Sequence, residues 1–221
     1  MTIYYFFCGA IVGLVFSATT VAATVWCVQL AVWRGWGTAK AAVGAIAFGQ
    51  LIWALLAAVA VGDLAEFYTH QWRYAGTLVS WTRAFCSIIF IYMAFKTLNA
   101  TPMAALTAPS GPVQRGWQLT KVTLAVTLSM PMRFFGYVGM FLTFGTMRYF
   151  ATPGPLLAMV LGVGVGSLLW FCVIAGVAAH VGNFGQGNWW PEIIRRQVRV
   201  SAIVYLALAV FALIPVALAV R

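Results

Sequence analysis

The sequence predicts an all-α polytopic membrane protein with six transmembrane helices that together use most of the chain. Hydrophobic residues make up 63% of the 221 residues and charged residues only 7%, and the mean hydropathy is +0.96. A soluble domain carries charge on about a quarter of its residues, so lipid must cover most of this chain. The apolar runs lack the alternation of a barrel strand, which leaves helices as the spanning elements.

Six hydrophobic runs follow one another along the chain, and we number them spans 1 to 6. Each can cross a hydrocarbon core of about 30 Å at about 1.5 Å per helical residue. The runs cover residues 3–33, 39–61, 75–98, 122–146, 155–179 and 200–220. No loop is long enough for a separate soluble domain. We therefore predict a single integral membrane domain over 1–221, with three-helix halves 1–98 and 99–221.

Charge and cysteine content exclude several other classes of function. The formal net charge is +10, but the basic residues stand mainly between the hydrophobic runs and not on one face, so we predict no nucleic-acid binding. The four cysteines lie inside apolar runs without close spacing, and the chain has only two histidines. We therefore predict no metal site and no cofactor.

The orientation follows from the distribution of Lys and Arg residues between loops. Eight basic residues flank the spans on the side of loops 1–2, 3–4 and 5–6, and four lie on the opposite side. Cytoplasmic loops carry the excess of Lys and Arg. We therefore predict a multi-pass membrane protein with both termini on the non-cytoplasmic side.

The two halves show the same layout, which predicts an inverted 3+3 repeat. Spans 1 and 4 are both interrupted near their middles, at residues 17–20 and 129–131, and a glycine-containing span follows each. Matching Ala18 to Pro131 gives an offset of 113 residues, about half the chain. With three spans per repeat the second copy must be inverted, which is an architecture of alternating-access carriers.

Arg133 is the most informative single residue, because it lies twelve residues after Lys121, or about 18 Å into the membrane. Arg at the centre of a membrane helix costs about 2.5–3.5 kcal/mol on insertion scales, so it needs a polar partner or a wet cavity. Pro131 removes a backbone hydrogen bond and frees the carbonyl of Thr127. A transported anion or carboxylate would suit this pocket.

The alternative is that Arg133 pairs with Gln29, Gln50 or Thr19 and only holds the bundle together. The side chains of Gln50, Thr19 and Thr20 are candidates to line the same pocket. The threonine hydroxyls would otherwise bond to carbonyls one turn earlier in their own helix. The substrate-binding candidates are Arg133, Thr19, Thr20, Gln50 and Pro131.

The acidic residues of the chain lie outside the spans. Asp63, Glu66 and Glu192 all stand at loops, which argues against proton antiport, since that mechanism needs a titratable group reachable from both sides. No nucleophile and base, and no cluster of ligands, can be recognised. We predict that the chain is not an enzyme.

Several motifs, in order, resemble the LysE/RhtB superfamily of bacterial amino-acid exporters. Gly9-Ala10-Ile11-Val12-Gly13-Leu14 and Arg34-Gly35-Trp36-Gly37 look like the first span and its loop, and Arg83-Ala84-Phe85 through Tyr92-Met93-Ala94-Phe95-Lys96 like the third. Leu128-Ser129-Met130-Pro131-Met132-Arg133 falls where the family commonly shows Asn-Pro-Lys, and Ile194-Arg195-Arg196 into Val200-Ser201 looks like the entry to the last helix. The resemblance implies a six-span carrier of the bacterial inner (plasma) membrane that exports a small solute, such as an amino acid or related metabolite.

The chain departs from the family at two positions that are expected to shape the pathway. Span 1 has Ala18-Thr19-Thr20 where the family has a break of Pro and Gly, and Met130 replaces the Asn before Pro131. The first hypothesis is therefore a transporter with a midplane site between spans 1 and 4. The second is a non-transporting structural subunit or assembly factor of a larger membrane complex. Expected partners are the lipid bilayer and a small-molecule solute, with a homo-oligomer or a membrane-complex partner left open.

Overall fold

The computed structural model of the protein describes residues 2–70, 72–99, 116–144, 153–182 and 190–219, and within these segments the regular structure is entirely helical. This confirms the all-α prediction. In chain order the helices of the described segments are α1 (Thr2–Thr19), α2 (Val21–Arg34), α3 (Trp36–His70), α4 (Trp72–Asn99), α5 (Gly116–Leu128), α6 (Met132–Phe144), α7 (Pro153–Gly182) and α8 (Trp190–Ala219).

The lengths and apolar composition of these helices mark the chain as a membrane protein. Five of the described helices, α1, α3, α4, α7 and α8, are long and apolar enough to cross a membrane alone. The pair α5 and α6 makes a sixth crossing if it is one bent span, with an angle of 65° between its two parts. Spans 2, 3, 5 and 6 thus correspond to α3, α4, α7 and α8, and span 4 to the pair α5–α6.

Span 1 is divided at Thr20, inside the interruption predicted from the sequence. Thr20 has φ −85° and ψ 77°, and its N–H donates to the carbonyl of Ser17, three residues back. The carbonyl of Phe16, which a continuous helix would offer to that N–H, instead accepts the hydroxyls of Thr19 and Thr20, both at 2.8 Å. Hydroxyls that compete in this way for a helix carbonyl weaken the helix locally. The chain resumes as α2 in the next residue.

Span 4 is divided at Pro131, as predicted. Proline has no N–H to donate, and its ring disfavours the helical conformation of the preceding Met130. The helix α5 therefore ends at Leu128, and α6 begins at Met132. The N–H groups of Arg133 and Phe134 donate to Met130 and Pro131 as tight turns, at 3.1 and 3.0 Å.

The last helix begins earlier than the last hydrophobic run. The run starts after Arg199, whereas α8 starts at Trp190. Pro191 lies in its first turn, where a missing N–H costs nothing, and Glu192 pairs with Arg195 and Arg196 along the exposed face. The sixth hydrophobic run includes only the apolar part of this helix. The prediction therefore missed the polar turns with which α8 begins.

The closest helix pair is α1 with α7, joined through the glycines of Gly9-x-x-x-Gly13 and Gly162-x-x-x-Gly166. Gly9 faces the backbone of Met159, and Gly13, one turn later, faces Val163. The two helices therefore run in the same direction, as spans 1 and 5 must if the crossings alternate. Small residues let backbones approach this closely in membranes, where Cα–H groups can contact carbonyl oxygens.

The core consists of two clusters separated along the bundle. One joins α1, α3, α4, α6, α7 and α8, and includes the stacked rings of Phe16 and Tyr137. The other joins α2, α3, α5 and α7, around Phe171 and Leu30. The breaks of spans 1 and 4 lie where these clusters meet, because α1 and α6 belong to the first and α2 and α5 to the second.

Candidate functional site

The two broken spans face one another across a pair of adjoining cavities. The first cavity, of about 290 Å³, is lined by both breaks together with parts of α4 and α8. The second, of about 230 Å³, lies between α2, α3 and α5 and has a mostly apolar wall. Ala22, Met130 and Arg133 line both cavities. Four of the five predicted site residues, Thr19, Thr20, Pro131 and Arg133, line the first.

Arg133 is buried, with 3% of its surface exposed. Within the described part of the chain its Nη1 has no hydrogen-bond partner. The phenol groups of Tyr137 and Tyr205 lie close enough to interact electrostatically with its guanidinium. A guanidinium presents up to five N–H donors and stays protonated in proteins, so this residue brings a permanent positive charge with a free donor to the cavities.

Gln50 lies next to this site but lines neither cavity. It is fully buried, its Nε2 donates to Ser17 Oγ at 3.3 Å, and its Oε1 accepts the hydroxyl of Tyr137. Both ends of the amide therefore have protein partners. Gln50 supports Tyr137, which stacks on Phe16 next to the break in span 1.

Two of the carbonyl groups near the break in span 1 are bonded to side chains. Phe16 O accepts two threonine hydroxyls, which fills both lone pairs of that oxygen. Ala18 O accepts Gln197 Nε2 at 3.2 Å and Ser201 Oγ at 3.4 Å from α8. Near the C-terminal end of α1, the carbonyl groups of Phe16 and Ala18 thus have side-chain partners.

At the break in span 4, the carbonyl group that Pro131 frees also has a side-chain partner. The carbonyl of Thr127, which Pro131 frees, accepts Trp53 Nε1 at 3.2 Å. Ser129 donates its N–H to Ala125 O at 2.9 Å and its hydroxyl to Val126 O at 2.8 Å. The carbonyl that the sequence predicted to open into a pocket therefore has a tryptophan partner from α3.

The N–H groups at the start of α2 have no such partners. Thr20 precedes the helix but makes no side-chain cap hydrogen bond, and the first N–H to bond backward is that of Thr24, to Thr20 O. The first-turn N–H groups, at residues 21–23, are the unpaired donors that every helix N-terminus carries. Val21 and Ala22 line the first cavity, and Ala22 and Ala23 line the second.

The site has positive charge and no acid. The chain has three acidic residues; all lie in described segments, and none lines either cavity. Lys96 adds a second cation at the rim of the first cavity. No cluster of three His, Cys, Asp or Glu side chains that could hold a metal occurs in the described segments.

The chain matches no protein-family profile, no curated protein and no solved structure. The resemblance to LysE/RhtB exporters therefore stays a prediction from the motifs quoted above.

Sequence reasoning missed several residues that shape this site. Tyr137 and Tyr205 flank Arg133, Trp26 donates from α2 to Thr123 Oγ1 of α5 at 3.3 Å, and Trp53 covers Thr127 O. Buried Tyr and Trp side chains need a hydrogen-bond partner for their polar atom. A tryptophan or tyrosine in mid-span was the signal that could have identified them.

Proposed function

We propose that the protein is a membrane carrier that exports a small solute, such as an amino acid or a related metabolite, across the bacterial inner membrane. The solute would bind between spans 1 and 4. The observation that carries this proposal is that both broken spans line the same cavities as Arg133, whose buried Nη1 has no hydrogen-bond partner among the described residues.

A structural role alone would leave Arg133 poorly explained. Removing a buried charge from water is costly unless it is paired and hydrogen-bonded. Two of the three side chains expected to pair with it in a purely structural role are engaged elsewhere: Gln50 with Ser17 and Tyr137, and Thr19 with Phe16 O. The third, Gln29, lines neither of the cavities that Arg133 lines. A solute group that accepts hydrogen bonds would supply the missing partner.

The helix contacts support the inverted 3+3 repeat as part of this proposal. Exchanging spans 1, 2 and 3 with spans 4, 5 and 6 maps several of the helix contacts onto one another, whereas those of α2 with α3, α3 with α4 and α6 with α8 have no counterpart of similar extent in the described segments. The contact of α1 with α7 corresponds to the contact of span 4 with α3. The contacts of α3 with α7 and of α4 with α8 each correspond to themselves. The contact of α4 with α6 corresponds to that of α8 with α1. Carriers with this symmetry bind solutes near the midplane between broken helices.

Both cavities lie in the half of the bundle that holds α2, α5 and the C-terminal part of α4. The basic residues Arg34, Lys96 and Lys121 stand in this half. By the positive-inside rule it is the cytoplasmic half. The proposed site would therefore be open to the cytoplasm, which is where an exporter takes up its solute. Both termini would lie on the other side of the membrane.

The test compares solutes in the medium of cells that express the wild-type protein, Arg133→Gln, Arg133→Lys or Arg196→Gln. Arg196 is a matched control, because its Nε bonds to Glu192 on an exposed helix face, where an ion pair contributes little. A hydrogen bond to a charged group contributes about 1.5–3 kcal/mol. We therefore expect Arg133→Gln to lower export about tenfold or more, Arg133→Lys to lower it less, and Arg196→Gln to leave it unchanged.

Equal export by Arg133→Gln and wild type, at equal abundance in the membrane, would refute the role of this residue. Purification in mild detergent then tests the second hypothesis, that of a structural subunit or assembly factor, against the carrier. A partner protein at fixed stoichiometry, together with no solute that depends on the gene, would make the chain a structural subunit or assembly factor. A protein that purifies alone or as a homo-oligomer, with a gene-dependent solute in the medium, supports the carrier.

A further inference from the structure

Building on the proposed function, we infer that the solute is a small organic anion with an apolar body and no ammonium group, and not a zwitterionic amino acid. The acidic group would bind at Arg133 and the start of α2, and the apolar body would occupy the cavity between α2, α3 and α5. Within the small solutes of the proposed function, this replaces amino acids by related organic anions that carry no ammonium group.

The donors at the site converge from two elements. Arg133 Nη1 is buried and unpartnered among the described residues, and the first turn of α2 presents uncapped N–H groups to the same cavities. The positive end of a helix dipole and a guanidinium both favour an anion. A broken membrane helix whose N-terminus faces an anionic solute group is a known arrangement in carriers.

Three of the carbonyl groups that the breaks would offer to an ammonium group are occupied. In carriers of zwitterions, carbonyl groups of an unwound helix are the natural partners for positive charge. Here Phe16 O accepts two hydroxyls, Ala18 O accepts Gln197 and Ser201, and Thr127 O accepts Trp53. Since no acidic residue lines the cavities, a buried ammonium would lose its water without gaining an acceptor of comparable strength.

The second cavity fits an apolar group. Its volume is about 230 Å³, and an apolar cavity of about 150 Å³ in another protein accommodates benzene. Its wall includes Ala22, Ala23, Trp26, Ile46 and Val126. Arg133 stands at the boundary of both cavities, so an acidic group held there places an attached hydrocarbon body against this wall.

The experiment uses two sets of three probes, each set with one common hydrocarbon body. The larger set is 4-methylpentanoate, leucine and 3-methylbutylamine, and the smaller is acetate, glycine and methylamine. Within each set the members carry a carboxylate alone, a carboxylate with an ammonium, or an ammonium alone. Binding to the purified full-length protein in detergent is measured by calorimetry at pH 7.5, for the wild type, Arg133→Lys, Arg133→Gln and Arg196→Gln.

We expect the carboxylates to bind at least tenfold more tightly than the matching amino acids, and the amines not to bind. The affinity of 4-methylpentanoate should fall tenfold or more in Arg133→Gln, fall less in Arg133→Lys, and be unchanged in Arg196→Gln. Equal elution profiles of the variants on gel filtration show that they are folded.

The outcomes separate this inference from the function on which it rests. If leucine or glycine binds as tightly as its carboxylate and depends on Arg133, the anion inference is wrong and the amino-acid carrier remains. If no member of either set binds to folded wild type, the inference is also wrong. If the carboxylates bind through Arg133 but 4-methylpentane-1-sulfonate, which cannot cross lipid in a neutral form, is not moved by protein in liposomes, the site stands and the carrier function fails.

Discussion

Replacing Gly166 by alanine should destabilise the protein, although alanine is the better helix former. An added Cβ would contact Ala10 O and lie 2.8 Å from the Ala10 carbonyl carbon and 2.9 Å from Leu14 N. Ordinary van der Waals contacts of such an atom fall at 3.4–4 Å. Because these are backbone atoms, no side-chain rotation relieves the clash, and α1 and α7 would have to separate by about 1 Å, which forfeits up to about half of the dispersion energy of each contact.

Overpacking of this kind costs about 1–3 kcal/mol. At about 2–4 °C per kcal/mol for a protein of this size, a loss of about 2 kcal/mol lowers the apparent melting temperature by about 4–8 °C. Gly176, on the same helix α7, has open space around it, so Gly176→Ala should gain about 0.5–1 kcal/mol from helix propensity. The assay is thermal unfolding of both variants in one detergent, followed by tryptophan fluorescence and by recovery on gel filtration.

The reasoning predicts opposite signs for the same added methyl group. Equal shifts in the two variants would refute the close approach of α1 and α7. Ala10→Gly should not rescue Gly166→Ala, because the clash is with the backbone of residue 10 and not with its side chain. A full rescue would therefore also contradict the structure.

Three further substitutions test the site. Tyr137→Phe removes the donor to Gln50 Oε1 and should cost about 1–3 kcal/mol in thermal unfolding, with part of the loss recovered when Gln50→Leu is added; no loss would count against the bond. Trp53→Phe frees the carbonyl of Thr127 as an acceptor. Calorimetry should then find the preference for 4-methylpentanoate over leucine reduced, by up to about tenfold for one charged hydrogen bond. An unchanged ratio of the two affinities would argue against occupied acceptors as the basis of selectivity. Ala23→Phe fills the apolar cavity and should weaken the binding of 4-methylpentanoate but not that of acetate. Equal weakening of both would show that the hydrocarbon body does not bind in that cavity.

The breaks in the membrane helices were predictable because their causes are local. Pro131 cannot donate a hydrogen bond and disfavours helix at the residue before it, and Thr19 and Thr20 carry hydroxyls that compete for Phe16 O. Arg133 stood out for a similar reason, since its sequence position alone places a charge deep in lipid. These features needed no knowledge of the packing.

The partners across the bundle were not predictable in this way. Gln50 bonds to Ser17 and Tyr137, which lie in other spans, and the carbonyl of Thr127 is covered by Trp53 of α3. One-dimensional hydropathy places a residue in depth but leaves open which neighbour it faces. The donor-rich, acceptor-poor character of the site is a result of these long-range contacts, so it emerged only from the fold.

The guanidinium of Arg133 has an energetic consequence for the direction of the proposed transport. It stays protonated, so it contributes one buried positive charge to the empty site, and a bound monoanion would neutralise that charge. Moving one elementary charge through a membrane potential of 100 mV is worth about 2.3 kcal/mol. A cell interior at negative potential would thus drive the anion outward, and a carrier with no acid lining its site would need no proton to do so.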